Sequence, residues 1–192
     1  MNIHRIYYPV MALGPGERIG IWTRGCRRRC PGCMSPELWE KAPDKEIPMA
    51  ELKKRLQEML DECFVEGVTI SGGEPLEQEA ELMELLEFLR ARGVRDILLY
   101  TGLTRKQLGA RARKLTKYAT VVCGPYIREE DDGRALRGSS NQEFLFRSPE
   151  MQEQYEPWTY GPRLVQPVDE DDEMFLVGLV DPDAGERVLS GE

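Results

Sequence analysis

Cys26, Cys30 and Cys33 stand in a C-x3-C-x2-C spacing and make up three of the five cysteines in a 192-residue chain. Thiolates are soft metal ligands. Gly25, Pro31 and Gly32 bend the backbone around them, so one loop can turn all three toward a single centre. Three ligands are one short of a closed tetrahedral site. Zinc would need a fourth, from His4, Cys63 or Cys123. An iron–sulfur cluster held by only three thiolates keeps one iron open for an outside ligand. Structural zinc loops usually come as two spaced cysteine pairs, and this chain has no second pair. The spacing favours the cluster and leaves zinc as the alternative.

A second group with chemistry to offer is Ser71-Gly72-Gly73-Glu74-Pro75, after the strand-like run 67–71. In parallel α/β folds ligands bind at the C-terminal ends of the strands. Paired glycines admit a ligand close to the backbone, and Glu74 offers a carboxylate to a cationic group. The same residues also fit a plain βα turn whose acid complements a helix dipole. Arg24, Arg27, Arg28 and Arg29 surround the cysteines, where they offset thiolate charge and could steer an acidic electron donor to the loop. A further basic stripe (Arg105, Lys106, Arg111, Arg113, Lys114, Lys117) reads as a solvated helix face. Cys63 falls on an apolar helix face, Cys123 at a strand end, and His4 in an opening arm.

The elements that must hold these groups alternate. An opening strand or arm covers 1–13, and a short buried strand, 18–23, feeds the cysteine loop. Pro48 begins a helix whose apolar face is Met49, Leu52, Leu56, Met59 and Leu60. The strand ending at Ser71 leads to a helix with Leu82, Leu85, Leu86 and Leu89 at i, i+3, i+4 and i+7, stopped by Gly93. A strand over 96–100 ends at Thr101-Gly102. Thr104 and Gln107 form a capping box for a helix running to about residue 117. Strand 120–123 closes on Gly124-Pro125. Strands alternating with helices of this length predict parallel βαβ units. After residue 128 the chain turns polar and then alternates at 143–146. A long loop is expected over 148–172, a charge run over 169–173, a last apolar strand over 174–180, and a polar tail.

The length suits one domain. Hydrophobic residues make up 41% and charged residues 31%, ordinary values for a globular protein, while the formal net charge of -8 argues against nucleic acid as main partner. No secretory segment and no membrane-spanning apolar run is evident, so a cytoplasmic setting without a membrane partner is expected.

The cysteine spacing followed by a strand-terminal Gly-Gly-Glu resembles the radical S-adenosylmethionine superfamily. Arg24-Gly25-Cys26, Cys30-Pro31-Gly32-Cys33, Tyr100-Thr101-Gly102, Gly124-Pro125-Tyr126 and the Leu-Arg-Gly-Ser-Ser-Asn-Gln run at 136–142 look more narrowly like its anaerobic ribonucleotide reductase activating proteins. The similarity runs from about residue 13 to 146, and Cys123 stands where that group usually has Asp. The resemblance implies a 4Fe–4S cluster on Cys26, Cys30 and Cys33, whose open iron binds S-adenosylmethionine. It places Gly72, Gly73 and Glu74 against the methionine moiety and Gly32, Cys33, Met34, Thr101 and Gly102 along the cofactor. It implies a single domain built as a partial (β/α) barrel of parallel strands, with core 13–146 and a C-terminal strand and loop extension over 147–192. The implied activity is reductive cleavage of S-adenosylmethionine to a 5′-deoxyadenosyl radical. That radical would generate a glycyl radical on a large partner subunit, such as an anaerobic ribonucleotide reductase, with electrons from a small acidic donor such as flavodoxin or ferredoxin. The same chemistry on another protein, peptide or small molecule is the first alternative, and a zinc-binding interaction module the distant one.

Overall fold

The structure, a computed structural model, describes residues 1–170 and 173–180. Six strands form one sheet in sequence order: β1 (Ile3–Val10), β2 (Arg18–Thr23), β3 (Gly67–Gly72), β4 (Asp96–Thr101), β5 (Thr120–Cys123) and β6 (Glu143–Leu145). β2 to β5 run parallel, while β1 and β6 pair antiparallel at the two edges. The class is therefore α/β with a mostly parallel sheet, as expected. The sheet is open: no pairing joins its two edges.

Period-two alternation explains its two faces. Ile19, Ile21, Val68, Ile70, Ile97, Leu99 and Val121 point to one side. There they meet Leu52 and Leu56 of α1 (Met49–Glu62) and Leu82, Leu85, Leu86 and Leu89 of α2 (Glu79–Ala91). The spacing of those leucines puts each set on one helical stripe. The Thr104 capping box forms, but its helix is interrupted at Gly109 (φ 54°) into α3 (Arg105–Leu108) and α4 (Ala110–Leu115).

The other face corrects the reading of 148–172 as a loop. Ser148 accepts from the Met151 amide, Pro149 occupies the first turn, and α5 (Pro149–Tyr160) follows. Tyr155 is fully buried against Leu98, Tyr100 and Val122. Pro157 masked this helix in the sequence. Next come β7 (Val165–Glu170) and β8 (Glu173–Gly178), which pair only with each other, so the last strand expected over 174–180 belongs to a separate hairpin. Its Val168 and Val177 pack on Val10, Ala12 and Leu13. Part of the expected charge run, 171–172, and the polar tail beyond residue 180 lie outside the described residues.

A buried polar knot fixes the N-terminal ends of the parallel strands. Arg18 donates to Asp96 Oδ2 at 2.6 Å, to Thr69 Oγ1 at 2.7 Å and to the Val68 carbonyl at 3.1 Å. The Tyr155 hydroxyl donates to Asp96 Oδ1 at 2.6 Å. α5 is thereby tied to the first residues of β2 and β4. Among the described residues no helix is long and apolar enough to cross a membrane.

Candidate active site

The cysteine loop begins where β2 stops. Its base is sewn on both sides by backbone bonds. The Gly25 and Cys26 amides donate to the Leu38 and Trp39 carbonyls at 2.9 and 2.8 Å, and the Glu74 amide donates to the Gly25 carbonyl at 2.8 Å. The two glycines at 72–73 owe their identity to this seam. A Cβ on Gly72 would stand 2.3 Å from the Thr23 amide nitrogen, and one on Gly73 2.5 Å from the Gly25 carbonyl oxygen. Gly72 also adopts φ 109°, which side-chain-bearing residues rarely reach. The pair lets two strand ends touch, a nearer cause than the ligand approach expected from sequence.

Cys26, Cys30 and Cys33 are all partly exposed and line one cavity at the C-terminal ends of the parallel strands. The Ser35 amide donates to Cys33 Sγ at 3.4 Å. Burial pushes the Cys26 thiol up, opposed by the Arg28 and Arg29 amides. Across the cavity stands Glu74, 4% exposed. Its Oε1 accepts from the Thr101 hydroxyl at 2.9 Å and the Leu76 amide at 3.1 Å, and its Oε2 from the Gly102 amide at 2.8 Å. Burial raises its pKa against those donors and the nearby charge of Arg28.

Of the residues singled out from sequence, Met34, Gly72, Gly73, Glu74, Thr101 and Gly102 join the three cysteines in the cavity wall. Gly32 does not line it. Gly32 turns the loop at φ 69° and packs beside Arg128. The 136–142 run reaches the same wall by folding back on the loop after β5. Asn141 donates to the Pro125 carbonyl at 2.9 Å, Gln142 to the Gly124 carbonyl at 2.9 Å, and Ser139 Oγ accepts from the Ile127 amide at 3.1 Å.

Neither His4, Cys63 nor Cys123 lines the cavity, so none can complete a zinc site there. Cys63 caps the C-terminus of α1, before β3 begins. Cys123 is buried in the helix-side core, its thiol pushed up to about 11 by burial and by Glu143. His4 Nδ1 lies 3.2 Å from Arg24. Among the described residues no three His, Cys, Asp or Glu side chains gather tightly enough for a single metal ion. The donor set suits a polynuclear cluster, with three thiolates and no protein fourth ligand among them. Two residues of the cavity wall also carry buried polar atoms without a partner among the described residues, Arg28 Nε and Trp39 Nε1. Such atoms fit a polar ligand bound beside the thiolates.

Sequence reading missed Trp22, Gly178 and Leu179, which also line the cavity, while Tyr100, quoted there only as part of a motif, joins them. Trp22 carried a signal, since it sits two residues from Gly20 on one strand face. A Cβ on Gly20 would fall 2.4 Å from the Trp22 ring. Leu179 carried none, because its position depends on the hairpin folding back on β1.

Residues 12–145 match the 4Fe-4S single cluster domain family. The anaerobic ribonucleoside-triphosphate reductase-activating protein of Enterobacteria phage T4 is 30% identical over 146 residues, spanning 74% of this chain and 92% of that protein. The protein of the same name from Escherichia coli (strain K12) is 30% identical over 149 residues, spanning 74% and 96%. The pyruvate formate-lyase-activating enzyme of Clostridium pasteurianum is 29% identical over 147 residues, spanning 74% of this chain and 60% of that enzyme.

Proposed function

The chain belongs to the 4Fe-4S single cluster domain family, among its radical S-adenosylmethionine activating proteins, and on that premise we propose that its partner is the large subunit of an anaerobic ribonucleotide reductase. It is a glycyl-radical-activating enzyme that uses a 4Fe–4S cluster and S-adenosylmethionine. The reductase is favoured over a formate-lyase partner by extent: the match spans nearly all of the reductase activators but 60% of the lyase activator. The cluster loop lies at the end of the first parallel strand of the open sheet, and a partial-barrel curvature of that sheet belongs to the same proposal.

When bound, the reduced cluster and S-adenosylmethionine supply a 5′-deoxyadenosyl radical able to take hydrogen from a backbone glycine. The residues of this chain hold and orient. Cys26, Cys30 and Cys33 are the cluster ligands. Glu74 presents a carboxylate fixed by Thr101 and Gly102 for the methionine amino group, with Gly72, Gly73 and Met34 forming the adjoining wall. Gly32 sets the turn that brings Cys33 into place. Arg27 and Arg29, exposed beside Glu77 and Glu40, form the landing surface for a small acidic electron donor.

One observation carries this reading: three thiolates and the anchored Glu74 face one cavity at the strand ends. The test is to mix the reconstituted, reduced chain with S-adenosylmethionine and a candidate reductase and record the electron paramagnetic resonance spectrum. A glycyl radical doublet on the reductase is expected. Cofactor cleavage with no radical on the reductase, and radical formation on a different protein, would overturn the choice of partner.

A further inference from the structure

Residues after 145 lie outside the family match, yet Gly178 and Leu179 form part of the cavity wall. The hairpin that delivers them is held firmly to β1. Gln166 donates to the Pro9 carbonyl and accepts from the Met11 amide, both at 2.8 Å. Arg5 pairs with Glu170 at 3.2 Å and lies 3.7 Å over the Phe175 ring, whose edge contact with Tyr7 has centroids 5.5 Å apart. Val168 and Val177 are buried on Val10, Ala12 and Leu13, and Leu179 packs on the same cluster with Trp22. The polar Gln166 bonds set register along β1, and the valines bury the inner face. Together they fix where β8 ends.

That end point matters because of what lies across from it. The Glu74, Thr101 and Gly102 side of the cavity, at β3 and β4, is polar and hydrogen-bonded. The β1–β2 side is apolar: Leu13, Trp22 and Leu179. Without the hairpin this second side would open directly to solvent. A site that generates a reactive radical gains from excluding water, which would otherwise quench or divert the chemistry.

We propose that the β7–β8 hairpin is a built-in wall of the S-adenosylmethionine site. Leu179, with Leu13 and Trp22, closes the cavity on its β1–β2 side and allows this chain to bind S-adenosylmethionine without its partner enzyme. Leu179 is a positioning residue. The proposal rests on the family reading above and adds to it an element that the family match does not include.

The experiment is equilibrium dialysis of S-adenosylhomocysteine, a thioether analogue lacking the sulfonium group, against the anaerobically reconstituted full chain with no partner present. Iron content and visible absorbance are followed in every variant. The wild-type chain is expected to bind. Leu179→Asp should weaken binding about tenfold, the scale of one polar group forced into an apolar wall. Leu179→Ala should weaken it several-fold and keeps the test open should the Asp variant misfold. Leu179→Met should retain wild-type affinity. Met174→Asp, on β8 but 59% exposed, should also leave it unchanged. Iron content should be the same throughout. Unchanged affinity in Leu179→Asp and Leu179→Ala would overturn the wall, as would equal weakening by Met174→Asp. A wild-type chain that binds no analogue alone but cleaves S-adenosylmethionine with a reductase would overturn the wall and leave the family reading standing. Failure to cleave even with reductase present would overturn the family reading itself.

Discussion

Glu74 concentrates the electrostatics of the site in one side chain. Its two oxygens take three donors, so an amide at this position must turn an NH2 toward at least one N–H or O–H. Glu74→Gln is therefore expected to cost about 1–3 kcal/mol of stability in urea unfolding of the cluster-free protein. Burial raises the Glu74 pKa above its unfolded value, so the folded chain holds that proton more tightly. The contribution of Glu74 is fully present at low pH and is lost as pH rises through the raised value. The cost of Glu74→Gln should thus be largest at low pH and narrow as pH rises above the ordinary carboxylate range. Cys123 gives a second check at this scale. With its thiol pushed up to about 11 and its side chain in the core, it should resist iodoacetamide at about pH 8 in the folded protein and react once unfolded. The cysteine triad and Glu74 were legible in the sequence because their chemistry lies in residue type and spacing. The reason for Gly72 and Gly73 was not, since it depends on Thr23 and Gly25, some fifty residues earlier, touching them.

The elements differ in how openly the sequence declared them. α1 and α2 show unbroken leucine stripes, and the Thr104–Gln107 capping box is local, so both were readable. α5 was hidden by Pro157 and by a sparse apolar face, and it is held by a tertiary bond that no local pattern reveals. Tyr155 reaches Asp96 at 2.6 Å, and Arg18 reaches the same carboxylate from β2. Both charges are buried, with side-chain exposures of 0% for Arg18 and 4% for Asp96. Removing one partner strands the other, so Asp96→Ala should destabilise the fold by about 3–5 kcal/mol. Tyr155→Phe, which removes one bond to a charged acceptor, should cost about 1.5–3 kcal/mol. Urea unfolding of the two variants measures both values. An effect of Asp96→Ala below that of Tyr155→Phe would contradict the role given to the knot.

At the scale of the molecule, an acidic chain of net charge -8 places four arginines, Arg24, Arg27, Arg28 and Arg29, at the cysteine loop. Arg24 is spent on structure, donating to the Glu37 and Glu40 carbonyls at 2.9 and 3.1 Å, while Arg27 and Arg29 face solvent. Replacing Arg27 and Arg29 with Gln should slow cluster reduction by an acidic donor at low salt, and the difference should fade as salt is raised. Equal rates at low salt would remove the docking role. The parallel pairing of the central strands, and the placing of the site at their C-terminal ends, followed from βαβ alternation. The covering of the opposite face by α5 and the β7–β8 hairpin did not, because it is decided by contacts between chain ends. The most direct measurement is 5′-deoxyadenosine release from S-adenosylmethionine by the reduced, reconstituted chain and by its single Cys→Ala variants. The wild-type chain and Cys63→Ala should both release it, while the alanine variants at Cys26, Cys30 and Cys33 should each release none. Product from any of those three, or none from the wild-type chain even with a candidate reductase present, would contradict a cluster held by this loop.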